Sequence, residues 1–298
     1  MTPDEAITAA RALPCWTAVT AAAPLEGGIT NHNIKVMDEG RAYVVRLGTD
    51  IPEHGILRWH ELSLSRAAAE AGLSPAIYHH EPGALVIDYI QSAALAEADL
   101  HDEATLMQAT DLVAELHREL PKHAHGPTLA FWVFHILRSY AHDLRARGSR
   151  HTPKLSGLLD EASALERAVG PVQMVLGHND LLPANILRGA DRMWLIDWEY
   201  GGWNSPLFDL GGLASNAALP RDAEEAILTR YYGTAPGAAL WRSYDAMKCA
   251  SLLRETMWSM VSEQTSQIDF DYADYTDKNL GRYREALAAL QSQGHLTS

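Results

Sequence analysis

The chain has 298 residues, 47% hydrophobic and 21% charged, an ordinary globular composition long enough for two domains that share a cleft. A formal net charge of −14 argues against a surface for nucleic acid or anionic membrane, both of which need clustered Lys and Arg, and suits a cationic substrate. Cys15 and Cys249 offer neither a bridge framework nor metal-ligand spacing, as in a reducing compartment. Asp4 and Glu5 head a segment without signal-peptide features, and no apolar run reaches the length of a membrane span, so a cytoplasmic protein is expected.

In chain order, residues 3–12 read as a first helix. Strands at about 16–24 and 33–37 flank a turn containing Gly27, Gly28, Thr30 and Asn31. Adjacent glycines let a backbone approach a phosphate, and Thr30 and Asn31 add donors. A third strand runs from Tyr43 to Leu47 and carries Arg46. His54 to Ala71 has the apolar spacing of an amphipathic helix stopped by Gly72, with Glu61 and Glu70 among its carboxylates. Strands at 76–80 and 84–90 follow across the Glu81-Pro82-Gly83 turn. Beyond them the pattern is helical: Thr105–Leu120, closed by Pro121, then 130–147 and 155–168. His117 reads as a packed structural residue, and the histidines lack zinc-site spacing.

The most informative stretch is 176–200, LGHNDLLPANILRGADRMWLIDWEY. Ile186-Leu187 and Met193–Ile196 form a small hairpin across Gly189-Ala190-Asp191, which brings Asp180, Asn185 and Asp197 to one end. Two carboxylates and an amide oxygen are a hard-oxygen set that suits Mg²⁺. His178 reads as a brace for this loop, and Asp209 as a second brace. Far downstream, Trp258 to Tyr275 (WSMVSEQTSQIDFDYADY) gathers aromatics and carboxylates.

The order His178-x-Asp180-x(4)-Asn185, then Asp197-Trp198-Glu199, is similar to the catalytic arrangement of protein kinases, in the version of the aminoglycoside phosphotransferases and choline/ethanolamine kinases. The run from Gly27 to Asn31, the Glu199-Tyr200-x(3)-Asn204-x(3)-Phe208-Asp209 arrangement and the 258–275 segment resemble the choline/ethanolamine branch. The resemblance implies an α+β, two-lobed protein-kinase-like fold. A small antiparallel β-sheet lobe, residues 1–90, would bind nucleotide, and a larger mainly helical lobe, residues 91–298, would carry catalysis and substrate.

The implied reaction moves the γ-phosphoryl of ATP to the hydroxyl of a small amino alcohol, choline or ethanolamine. Asp180 would orient the hydroxyl and take its proton, and Asn185 and Asp197 would hold Mg²⁺. Gly28, Thr30 and Asn31 would cover the nucleotide. Arg46 would meet its phosphates in place of the kinase lysine, with Glu61 as partner and Glu70 as the weaker choice. The backbone from Asp88 to Ile90 would be the hinge at the adenine. Glu199, Tyr200, Trp258, Phe270 and Tyr275 would bind the acceptor. A cation over an aromatic face gains roughly 0.5 to 2 kcal/mol, so a carboxylate such as Glu199 or Asp269 is expected to assist.

Glu255 stands where eukaryotic choline kinases tend to carry a second Trp, which favours a primary ammonium or a different amine. An aminoglycoside or thiamine-like acceptor is the alternative. A kinase-shaped binding protein without turnover is a third reading, against which the complete Asp180, Asn185, Asp197 set argues.

Overall fold

A computed structural model of the chain describes residues 1–25, 31–266, 268, 270–294 and 296. The chain opens with helix α1 (Pro3–Arg11), started by a capping box. The Thr2 hydroxyl accepts from the Glu5 amide, and the Glu5 carboxylate accepts from the Thr2 amide. Strands β1 (Val19–Pro24), β2 (His32–Asp38) and β3 (Arg41–Leu47) follow, then helix α2 (Arg58–Glu70), β4 (Ile77–Glu81) and β5 (Ala84–Asp88). Among the described residues these strands form one antiparallel sheet in the order β1-β2-β3-β5-β4.

The period of two decides what each face does. Ile34, Val36, Tyr43, Val45, Leu47 and Val86 point to one side, where Ala6, Ala10 and Leu13 cover them in a satellite core. Asn33, Val44, Arg46 and Ile87 line a cavity on the other side.

The remaining elements are β6 (Ala93–Ala94), α3 (Glu103–His123), α4 (Val133–Ala146), α5 (Leu155–Val169), β7 (Val175–Gly177), β8 (Ile186–Arg188), β9 (Met193–Leu195) and β10 (Gly202–Asn204). Helices α6 (Pro206–Asn216), α7 (Arg221–Tyr232), α8 (Ala238–Thr265) and α9 (Tyr272–Ser292) complete the chain. The short strands make a three-stranded sheet, β6-β8-β9, and a β7–β10 pair. Helix α8 is the axis of the main core. It buries residues on nearly every side, from Tyr244 to Ser262, against α4, α5, α6 and α9. The architecture is α+β, an antiparallel sheet followed by a mainly helical part.

Of the boundaries that differ from the sequence reading, two have a clear local cause. The helix expected over 54–71 begins at Arg58, because Gly55 adopts a left-handed conformation (φ 72°) and ends a separate 3₁₀ turn at Pro52–His54. Pro121 lies inside α3, which runs on to His123. A proline so near a helix end removes only one bond from a turn that is frayed in any case.

Candidate active site

The loop between β7 and β8 is pinned from below. Ser205 accepts from the Leu207 amide and Pro206 opens α6, which places Asp209 in the first turn, 2% exposed. The Asp209 carboxylate accepts from the backbone amides of His178 (2.8 Å) and Asn179 (2.7 Å), and His117 Nε2 lies 2.9 Å from it. Burial alone would raise this carboxyl, but the His117 bond and the neighbouring donors hold it below the ordinary range. Gly177 leaves the room these bonds need, since a Cβ there would sit 2.6 Å from Asp209 Oδ2. Asn179, at φ 64°, donates to the carbonyls of Tyr200 and Gly202 and accepts from Asn204. His178 Nε2 lies 2.9 Å from the Ile196 carbonyl. Both histidines are therefore braces, as expected.

This frame presents Asp180, Asn185 and Asp197 together. Asn185 Nδ2 donates to the Asp180 carbonyl (2.9 Å), and the Ile196 amide donates to the Asn185 carbonyl (3.1 Å). All three side chains line a cavity of about 550 Å³ between the five-stranded sheet and the helical part. Asp180 is ringed by protein, and burial pushes its pKa up to about 8; Arg254 opposes that shift, while Asp197, Glu255 and Glu199 reinforce it. Burial would raise Asp197 as well, but the Arg46 guanidinium outweighs it and holds Asp197 low.

Arg46 reaches from β3 into the cavity and is clamped by three carboxylates. Its Nε lies 2.9 Å from Glu61, and its Nη2 lies 2.5 Å from Asp197 Oδ1 and 2.8 Å from Glu199 Oε2. Glu61, not Glu70, is thus its helix partner. Arg58, one turn before Glu61, bonds Glu61 at 2.5 Å and Glu199 at 3.3 Å, and Asn31 Nδ2 donates to Glu199 at 3.0 Å. Glu199 was expected at the acceptor; the structure places it in this arginine cluster, and we reassign it accordingly. Gly28 and Thr30 lie outside the described residues, as does Asp269.

At the end of β5, Asp88, Tyr89 and Ile90 line the same cavity. The Tyr89 amide donates to the Ala42 carbonyl (3.1 Å), and the Lys35 ammonium sits 3.6 Å over the Tyr89 ring.

The opposite end is an aromatic corner. Trp258 and Tyr275 stand nearly perpendicular, 82° apart with centroids 6.4 Å apart, and both line the cavity with Tyr200. Trp258 Nε1 donates to the Tyr200 hydroxyl (2.9 Å). Phe270, expected among these walls, instead rests on Tyr272 and Tyr275 and is 41% exposed. It is not among the residues that line the cavity, so it backs the corner through Tyr275 without facing it. Two further residues complete the site. Glu255 accepts from the Tyr275 hydroxyl (2.7 Å) and from Arg254 Nη1 (2.9 Å), and Arg254 lies 4.3 Å over the Tyr200 ring. The signal for Arg254 was its helical spacing, four residues before Trp258 on α8. For Arg58 it was the three-residue step to Glu61.

The cleft can therefore hold a polyanion against Arg46 and a cation in the aromatic corner, with Asp180 between them. Asn185 and Asp197 supply hard oxygens that fit Mg²⁺, and the guanidinium already resting on Asp197 shows that this carboxylate accepts a cation.

A family model described as choline/ethanolamine kinase matches residues 22–229. Protein LicA of Haemophilus influenzae is 24% identical over 264 residues, covering 85% of this chain and 76% of that protein. A choline/ethanolamine kinase family protein from Mesorhizobium loti superposes with a TM-score of 0.79 at 25% identity, covering 98% of this chain and all of that one. Spectinomycin phosphotransferase APH(9)-Ia, solved with ADP and spectinomycin, shares the fold with a TM-score of 0.67 at 12% identity, covering 98% and 99% of the two chains. The two-lobed arrangement is thus that of the protein-kinase-like small-molecule kinases, and the chain belongs to the choline/ethanolamine kinase family, phosphotransferases with an alcohol group as acceptor.

Proposed function

We propose that the protein transfers the γ-phosphoryl of ATP to the hydroxyl of a small amino alcohol, choline or ethanolamine, as a cytoplasmic enzyme. The observation that carries this reading is that Asp180 lines one cavity with Arg46, Asn185 and Asp197 and also with Trp258, Tyr275 and Glu255, and feels the charges of Asp197 and Glu199 as well as those of Arg254 and Glu255. Residues 1–90 form the nucleotide-binding unit and 91–298 the catalytic and substrate-binding unit.

The acceptor hydroxyl oxygen attacks the γ-phosphorus as the bond to the ADP oxygen breaks, and its proton passes to Asp180. Asp180 must be ionised to take it, and a cationic acceptor bound beside it favours that ionised form. Arg46 neutralises phosphate charge from a position set by Glu61, Glu199 and, through them, Arg58. Asn185 and Asp197 would hold Mg²⁺, which supplies charge neutralisation at the phosphates. The backbone of Asp88–Ile90 meets the adenine.

The test is incubation with ATP, Mg²⁺ and, separately, ethanolamine, choline, an aminoglycoside or no acceptor, with phosphorus NMR of the products. A phosphomonoester of an amino alcohol supports the reading. Transfer only to the aminoglycoside, or no transfer at all, sinks it.

A further inference from the structure

Glu255 has an unusual place in the acceptor end. Its side chain is 25% exposed, and the cavity it lines also contains Asp180, Trp258 and Tyr275. One carboxylate oxygen accepts from Tyr275 and the other from Arg254. A carboxylate offers about four acceptor positions, so both oxygens keep capacity for a further donor.

The charge beside it points the same way. Arg254 is buried, 4% exposed, and its guanidinium is fixed between Glu255 and the faces of Tyr200 and Phe131. The pair is close to neutral at any distance beyond its own length, so it adds little Coulombic attraction for a cation as such. What remains is short-range and directional: an acceptor for an N–H. A quaternary ammonium has no N–H. It would cover the carboxylate with methyl groups, replace no lost water bond, and still meet the buried guanidinium.

Resting on the amino-alcohol reading above, we propose that Glu255 is a specificity-determining residue that selects acceptors whose ammonium carries at least one N–H, against quaternary ammonium acceptors. Arg254 acts with it by cancelling the charge attraction that both classes would otherwise share. Trp258 and Tyr275 contribute cation–π attraction to every member of the series and so do not discriminate between them.

The experiment is the methylation series ethanolamine, N-methylethanolamine, N,N-dimethylethanolamine and choline, with kcat/KM measured for the protein, for Glu255→Gln and for the double variant Arg254→Leu with Glu255→Leu. For the native protein the expected profile is a step at the last member, where the final N–H is lost, of about ten- to a hundredfold. In Glu255→Gln the two acceptor positions of the one amide oxygen are filled by Arg254 and the Tyr275 hydroxyl, and the tertiary-to-quaternary ratio falls toward one. The double variant removes the pair as a unit and flattens the series even where the single variant is poorly folded; the KM for ATP and the thermal midpoint report on folding. Transfer with a flat native series, or with choline preferred, overturns the inference and leaves the amino-alcohol reading intact. A native step that survives in both variants overturns the role of Glu255. No transfer to any of the four overturns the reading and the inference together.

Discussion

Arg46 Nη2 stands 2.5 Å from Asp197 Oδ1, so the cleft holds the cation proposed to meet the phosphates directly against the carboxylate proposed to hold Mg²⁺. Residues 151 positions apart in sequence meet here because β3 faces the loop after β9 across the cavity. Glu61 and Glu199 complete the clamp, and the Arg46 side chain is only 12% exposed. Replacing Arg46 with Met leaves three buried carboxylates facing one another, with Arg58 alone to offset them. The expected result is a loss of about 3 kcal/mol in unfolding free energy and a rise of tenfold or more in the KM for ATP. A urea midpoint and an ATP KM both unchanged would contradict this.

Asp180 carries a pH signature. With its pKa raised to about 8 by burial, it is protonated at neutral pH and ionises as pH rises. A carboxyl takes a proton only when ionised, so kcat/KM should climb through the neutral range and level off above about pH 8. The stability sign is the reverse. The folded state binds a proton between the ordinary 3.8 and about 8 that the unfolded chain has lost, so this group's contribution falls as pH rises through that window. Asp180→Asn removes the penalty, and its thermal midpoint should rise relative to the native protein from pH 5 to pH 8. A rate profile flat down to pH 5 and a constant gap in midpoints would show an ordinary carboxyl.

Trp258 is packed between His54 and Tyr272 while its Nε1 holds Tyr200. Trp258→Phe keeps an aromatic face but drops that bond, at a cost of about 1 kcal/mol. The acceptor KM should increase several-fold with the KM for ATP unchanged. Trp258→Ala, which opens a cavity, should cost about 3–5 kcal/mol. A shift in nucleotide KM with unchanged acceptor KM would place this ring elsewhere in function.

His54 supports the same corner from the 3₁₀ turn. Its Nδ1 lies 3.2 Å from the Tyr140 hydroxyl and its Nε2 3.1 Å from Ser262 Oγ. Burial, helped by Arg254, lowers its pKa to about 3. Below the ordinary 6.5 the unfolded chain takes a proton that the folded protein refuses until about 3, so stability is lost as pH falls through that window. In His54→Asn the slope of urea midpoint against pH between 6 and 4 should flatten. An unchanged slope would mean that other groups dominate acid sensitivity.

What could be read from the sequence was the local geometry. Asp180, Asn185 and Asp197 are a hairpin apart, so their spacing brings them together, and the Arg46–Glu61 pair follows from the resemblance to the kinase strand–helix ion pair. The end of the cavity that Glu199 faces depends on Asn31, Arg46 and Arg58, more than 140 residues away, and nothing local encodes that choice. Phe270 is an aromatic like the wall residues, and only its packing on Tyr272 and Tyr275 shows that it stands behind them. Arg254 and His54 are parts of the site that the sequence does not mark, since a lone arginine or histidine looks like a surface residue until its partners are known.

In the proposed reaction Asp180 takes the proton of an alcohol as phosphate is transferred across this cleft. The most direct measurement is single-turnover transfer from ATP to ethanolamine by Asp180→Asn, with nucleotide affinity determined on the same sample. A fall in transfer rate of about a hundredfold or more, with nucleotide affinity preserved, is the predicted result. Transfer at a near-native rate in that variant would contradict the account.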